Sequence, residues 1–511
     1  MELFLNIAAI LNILFIIFVL FFERKEDSRR WAWVLVLHFL PMVGMVLYIL
    51  LSGHFFTKTK QLTQVARFFD SLKTNLSQAR LLDRLAVHLD NPIIREYLPL
   101  IRMNLEGNKS PLSTASSTKI YCWGQELFKD MLADMEAATE SICLESFIIH
   151  DDATGTLLME LLCRKAQSGV EVKLLYDDVG SILTPNSFFH RLTEAGGQAQ
   201  AFFPVKWRLP LSINFRNHRK ITIIDGKIGY MGGINIGDEY ANRSANKKKP
   251  LWRDTHIRLT GSCVINLHSI FLIDWFTTPA WHSRLKRTED ITRHFPAATV
   301  QLLKERLDAS QHSPAPHRKV AVDTLFLTEG IPTQIITAGP DDLRSTEIEA
   351  ALIRMLLSAK DYAYIQTPYF TPSQQFYNAL KIAAQSGVDV RVMVPDRWDK
   401  FYVKIAAYQF IREMLGFGVQ FYHYNGFIHS KTMVCDDKIS TIGSTNIDTR
   451  SFDLHFEVNA IFYDQDMARQ CKAIFQKDMA QSRQADLEWF NTQPLYRRAL
   501  WAFFKMFSPL M

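Results

Sequence analysis

Two stretches decide how this chain is read. Residues 217–235 are NHRKITIIDGKIGYMGGIN, and residues 428–446 are IHSKTMVCDDKISTIGSTN. Each has His-x-Lys, four residues, Asp, six residues, then Gly-Gly/Ser-x-Asn. The positions are His218, Lys220, Asp225, Gly232, Gly233 and Asn235, then His429, Lys431, Asp436, Gly443, Ser444 and Asn446. At average residue frequencies one such pattern arises by chance on the order of once per hundred chains of this length, and two in register far more rarely. His and Lys two apart on a strand point to one face. Residues 221–224 are apolar and rich in β-branched side chains, as a buried strand requires. Asp225-Gly226, and Asp436-Asp437 in the second copy, read as hairpin turns, so the motif Asp reads first as a turn residue. The Gly-Gly/Ser pair admits close approach of backbone, and Asn offers an amide donor.

The duplication extends beyond the motif. Residues 166–178 read AQSGVEVKLLYDD and residues 384–396 read AQSGVDVRVMVPD. In each a helix ends at Gly and a Val-rich strand follows, with another strand upstream at 142–149 or 362–370. Strand, helix, strand in both halves predicts an α/β fold of two tandem sandwiches sharing one active site. The expected divisions are 1–52, a transmembrane helical hairpin; 53–106, a helical stalk; 107–325 and 326–483, the two α/β halves; and 484–511, an amphipathic tail.

Two His, two Lys and two Asn converging on one point suit phosphoryl transfer that uses no metal and no cofactor. Lys220, Lys431, Asn235 and Asn446 donate to non-bridging phosphate oxygens. One imidazole attacks phosphorus and the other handles the leaving and entering protons. The residues by themselves leave open which imidazole does which.

This pattern resembles the phospholipase D superfamily, whose signature is the duplicated His-x-Lys-x4-Asp motif. Further stretches resemble bacterial cardiolipin synthases: NFRNHRK at 214–220, INIGDEY at 234–240, WRDTH at 252–256, TPYF at 367–370 and the N-terminal apolar pair. Residues 53–106 match least well. The resemblance implies a covalent phosphohistidine, with His218 as nucleophile and His429 as acid/base. It places Lys220, Asp225, Lys431 and Asp436 in the catalytic set. It also implies that acids downstream, Asp254 and Glu457, orient the histidines.

The implied reaction joins two phosphatidylglycerol molecules into cardiolipin and frees glycerol. The alternative is a phospholipase D-type hydrolase or nuclease, with water as acceptor. Two intact motifs argue against a catalytically dead scaffold.

The remaining features fit a lipid substrate. Residues 3–22 and 31–51 carry no charge and are long enough, at 1.5 Å per residue, to cross a bilayer core. The turn between them has Arg24, Lys25, Arg29 and Arg30, and Lys58, Lys60 and Arg67 follow, so the charge bias does not select a side. The expected location is the bacterial inner membrane, as a multi-pass protein. Leu500, Phe503, Phe504 and Phe507 fall on one helical face, with Arg497, Arg498 and Lys505 nearby; that face suits either anionic headgroups or the domain core. Lys206, Arg208, Arg216 and Arg219 suit a second anionic lipid or a solvated rim. The chain has 511 residues, 48% hydrophobic and 22% charged, which excludes a disordered class. Six cysteines without a C-x-x-C pair exclude a disulfide scaffold and suggest no zinc. A formal charge of +6 fits a phospholipid partner and a membrane without calling for nucleic acid. Oligomeric state is not legible.

Overall fold

The computed structural model describes residues 2–22, 27–51, 91–204, 215–243, 251–277, 330–339 and 347–510. Two sheets repeat one strand order. In the first, the strands run edge to edge Ser117–Tyr121, His256–Thr260, Ile228–Gly232, Ile221–Ile224, Ser141–Ser146, Glu171–Asp177 and Gln198–Phe202. In the second, Ile331–Ala338, His455–Phe462, Ile439–Gly443, Thr432–Cys435, Tyr362–Gln366, Asp389–Pro395 and Gln420–Tyr424 occupy the same places. The expected strand-helix-strand units are present in both. Ala153–Gln167 starts at Asp152, which accepts from Gly155 N–H, and Gln374–Gln385 starts at Ser373, which accepts from Phe376 N–H. Both are followed by a glycine at positive φ, Gly169 at 91° and Gly387 at 93°. Each crossover joins parallel neighbours.

The strands are buried on both faces, which explains why 171–177 and 389–395 read as apolar runs rather than alternating patterns. Helices cover the outer face of each sheet. Between the sheets lies a shared core in which Phe271 and Trp275 meet Tyr364, Val458 and Phe475. The halves therefore have one apolar layer in common and cannot separate without exposing it.

The chain passes from one sheet to the other at Ser116. Ser113–Ala115 pairs with Ile331–Thr333 of the second sheet, and Ser117–Tyr121 then joins the edge of the first. Leu98–Gly107, expected in a stalk, packs Leu100, Ile101 and Leu105 against Ile348, Leu352 and Met355 of the second half. The rest of that stalk, 53–90, lies outside the described residues, as do Lys206 and Arg208.

The predicted transmembrane hairpin is not borne out. Among the described residues no helix is long and apolar enough to cross a membrane. The second apolar run is divided into Asp27–Phe39 and Pro41–Leu51. Pro41 has no N–H for the Leu37 carbonyl four residues back. The buried Asn12 side chain donates to that carbonyl instead, at 3.2 Å. Counting uncharged residues cannot reveal such a break. These helices close on Val19, Trp33, Leu37 and Tyr48, and Leu510 from the other end of the chain packs against them.

The C-terminal helix Leu495–Met506 lies along Phe401–Gly416 with Trp501 buried and Lys505 paired to Glu413 at 2.5 Å. It docks by the face of Trp501 and Lys505, rotated away from the centre of the apolar stripe read from sequence, so Phe504 and Phe507 are half-buried. Leu500 and Phe503 of that stripe stay exposed.

Candidate active site

His218 and His429 each stand just before the central strand of their own half, and each is fixed by a two-residue pairing with the other half. Arg216–Asn217 runs parallel to His455-Phe456, and His218 N–H donates to Phe456 O at 2.9 Å. Phe427–Ile428 runs parallel to Trp252–Arg253, and His429 N–H donates to Arg253 O at 2.7 Å. The acids sit immediately downstream of the pairing partners, so each histidine meets the acid of the opposite half. His218 Nδ1 lies 2.9 and 3.1 Å from the Glu457 carboxylate oxygens. His429 Nδ1 lies 2.6 Å from Asp254 Oδ2. A carboxylate on Nδ1 holds the proton there and leaves Nε2 with a lone pair. The sequence placed these acids near the histidines but did not show that the pairs are exchanged between halves.

The glycines of the motif make room for this. A Cβ on Gly233 would overlap the Asp254 carboxylate. Its counterpart Ser444 carries a side chain, and its hydroxyl donates to Glu457.

The centre is buried and crowded with positive groups. Lys220 and Lys431 each donate to the carbonyl of the histidine two residues before, and each ammonium keeps further N–H donors. Burial lowers the Lys220 pKa to about 7 and the Lys431 pKa to about 8, although the nearby acids Glu457 and Asp254 oppose this. Burial, then Lys220, Lys431, His429 and Lys400, hold His218 well below its usual value. Burial and Lys431 lower His429 to about 4 against the pull of Asp254. Both imidazoles are therefore neutral at neutral pH. The two motifs lie close together: His429 acts electrostatically on His218, and Lys431 on Lys220. Two buried ammonium groups with spare N–H donors suit a bound anion, which would restore their charge.

Asn235 accepts from Ile148 N–H at 3.2 Å through Oδ1, which turns its NH2 toward Tyr240. The buried Asn446 Oδ1 has no hydrogen-bond partner among the described residues. Aromatic rings wall the site: Phe147 stands edge-on to His218 at 5.1 Å, and Trp252 is 5.2 Å from His429.

Asp225 and Asp436 are not at this centre. They lie beyond the far ends of Ile221–Ile224 and Thr432–Cys435, at positive φ. Asp225 accepts from the N–H groups of Thr139, Glu140 and Ser141, and Asp436 from those of Lys360, Asp361 and Tyr362. The structure gives both the turn-holding part and no contact with the histidines. Burial raises the Asp225 pKa, but the Ser141, Thr139 and Glu140 N–H groups outweigh it and the net direction is down. A depressed carboxyl contributes stability that is present above its unfolded pKa and lost as pH falls through its folded one, here below about 4. Asp225→Ala should cost about 1–3 kcal/mol in denaturant unfolding at neutral pH, with turnover per folded molecule near normal. A collapse of turnover at unchanged stability would return Asp225 to the catalytic set.

Arg216 and Arg219 are buried rather than part of a headgroup rim. Arg216 pairs with Asp177 at 3.4 Å; Arg219 pairs with Asp274 and donates to Glu457 O at 3.1 Å. Among the described residues one cluster has metal-ligand spacing: His218, His455 and Glu457, with ligand atoms within 4.8 Å. His455 is a site residue that the sequence reading missed. Its signal was present, since it lies two residues before Glu457 on one strand and so on the same face.

The chain matches the family model described as "Cardiolipin synthase, PLD-like domain" over residues 131–247 and 352–479, and the model "Phospholipase_D-nuclease N-terminal" over 10–53. A cardiolipin synthase of Oceanobacillus iheyensis is 34% identical, over 100% of this chain and 99% of its own length. One of Staphylococcus aureus is 38% identical over 99% of this chain and 96% of its own. Among solved structures, the phosphatidylserine synthase of Haemophilus influenzae shares the fold, with a TM-score of 0.59 at 14% identity, covering 81% of this chain and 100% of that one. On the strength of two full-length relatives and a motif pair that both fold onto one centre, the chain belongs to the cardiolipin synthase family of PLD-like proteins.

Proposed function

We propose that the chain is a phosphatidyltransferase that converts two phosphatidylglycerol molecules to cardiolipin and glycerol. The observation that carries this is the pair of buried, neutral imidazoles, each held by an acid of the opposite half, in a pocket of two lysines. His218 Nε2 attacks phosphorus, the bond to the glycerol oxygen breaks, and His429 gives that oxygen its proton. The hydroxyl of a second phosphatidylglycerol then loses its proton to His429 and attacks, and the P–N bond to His218 breaks. Lys220, Lys431, Asn235 and Asn446 donate to the non-bridging oxygens as charge builds on them. His429 needs a proton for the first step that the unliganded site does not hold. The phosphate anion supplies the reason to take one up, by raising the pKa of every cationic group around it.

Exposed apolar faces on the terminal helices support a lipid substrate. Ile10, Ile13, Leu14, Ile17 and Phe21 form one exposed stripe on the first helix, and Phe39, Val43 and Val46 expose another. Arg29 from these helices faces Asp453 at 3.8 Å, at the end of Thr449–Asp453, a few residues before Glu457. Leu500 and Phe503 of the C-terminal helix add to the exposed apolar surface. We read these faces as contacts with lipid that keep the centre at headgroup level.

The test is purified protein in mixed micelles with phosphatidylglycerol labelled in its free glycerol. Cardiolipin and free glycerol should form in equal amounts, and the rate should survive EDTA. Phosphatidic acid as the main product would replace transfer by hydrolysis. Loss of activity that added magnesium alone restores, with micelle charge controlled, would overturn the metal-free scheme.

A further inference from the structure

Among the differences between the two halves beside the centre is the residue two places before each acid. Two residues before Asp254 stands Trp252; two residues before Glu457 stands His455. Arg450 Nε lies 2.9 Å from His455 Nε2. A guanidinium N–H can only donate, so Nε2 is the acceptor and the ring proton is on Nδ1. Among the described residues that Nδ1 has no hydrogen-bond partner; it lies 3.7 Å from Glu457 Oε1, the oxygen that also faces His218 Nδ1. The His218 and His455 rings are 5.5 Å apart.

Resting on the reading of His218 as nucleophile, we propose that His455 is a positioning residue: its Nδ1–H shares the Glu457 carboxylate with His218 and weakens the hold of that acid on the nucleophile. Active-site hydrogen bonds are commonly long in the unliganded site and tighten with substrate. Burial lowers the His455 pKa to about 3, so it acts as a neutral donor, not as a cation. Glu457 also receives the Ser444 hydroxyl. Once the His455 Nδ1–H closes on it, the Glu457 carboxylate has three donors and shares its charge among them, whereas Asp254 shares its own between His429 and the Thr255 N–H. The asymmetry leaves His218 the weaker base, ready to attack, and His429 the stronger one, ready to carry a proton. The other charged groups around this cluster are Lys220, Lys431, Lys400 and His429 toward His218, Asp448 toward Glu457, and Arg450 toward His455, with Arg216 and Arg29 behind it. None is changed by the variants below.

The experiment is the pH dependence of the nitrophenol burst from a phosphatidyl nitrophenyl ester in mixed micelles. That donor needs no proton on its leaving group, so the acidic limb reports His218 alone. His455→Phe removes the donor and should move the limb up by about half to one pH unit, the size of an ordinary net hydrogen bond, with the high-pH plateau retained. His455→Asn carries an N–H at the Nδ1 position and should restore the wild-type limb. If thermal unfolding shows that Phe is not accommodated, His455→Leu reads the same loss. A limb that stays in place in Phe or Leu, or that moves equally in Asn, overturns the proposal. A burst that survives in His218→Ala instead overturns the nucleophile assignment, whatever His455 does.

Discussion

His218→Ala is expected to abolish turnover and any covalent phosphatidyl adduct, a fall of about 10⁴-fold or more, because no other group is placed to attack. His429→Ala should fail as completely with phosphatidylglycerol, for a different reason: the departing glycerol oxygen has lost its proton donor. A nitrophenyl donor separates the two. It should restore the first step in His429→Ala and strand the adduct on His218, where mass spectrometry of a peptic digest finds it, and do nothing for His218→Ala. An adduct on His429 would reverse the assignment. Full activity in both variants would remove the duplicated motif from the chemistry altogether.

The exchanged acids give the second large effect. Glu457→Gln keeps an acceptor near His218 Nδ1 but removes its charge, and Asp254→Asn does the same to His429. Losing the charge behind a catalytic imidazole costs roughly 10²–10⁴-fold. Each variant should copy the histidine of the opposite half. Glu457→Gln should cut the nitrophenol burst, as His218→Ala does. Asp254→Asn should leave the burst and block the acceptor step, as His429→Ala does. If the two patterns come out the other way round, each acid serves the histidine of its own half, and the reading of the pairing in solution is wrong.

Much of this was legible in the sequence because it repeats. Two copies of one motif and of one helix-Gly-strand fragment placed the strand-helix-strand unit and the motif strand in each half, and the spacing named His218, Lys220, His429 and Lys431. The partners across the centre were not legible. The pairings that bring Glu457 to His218 and Asp254 to His429 are two residues long, too short to leave a periodic pattern. Charge alone misled at Arg216 and Arg219, whose acids Asp177 and Asp274 stand 39 and 55 residues away in the chain and are buried. The uncharged run 31–51 reads as one span kinked at Pro41; hydropathy does not show that the missing N–H there divides it into two short helices. For the C-terminal helix the stripe was found but its direction was not, since a stripe shows only that one side is apolar and not which side a neighbour will take.

The exchange of acids has a consequence for descent. Two identical copies of a single-motif chain, related by a twofold axis, would build the same centre, each lending its acid to the other. Any substitution in such a pair appears on both sides at once, so the two histidines stay equivalent. Joining the copies into one polypeptide lifts that constraint. Here Gly233, Trp252 and Asp254 on one side face Ser444, His455 and Glu457 on the other. Only a fused chain can carry those differences singly, and only then can one imidazole become a dedicated nucleophile while its counterpart specialises in moving protons.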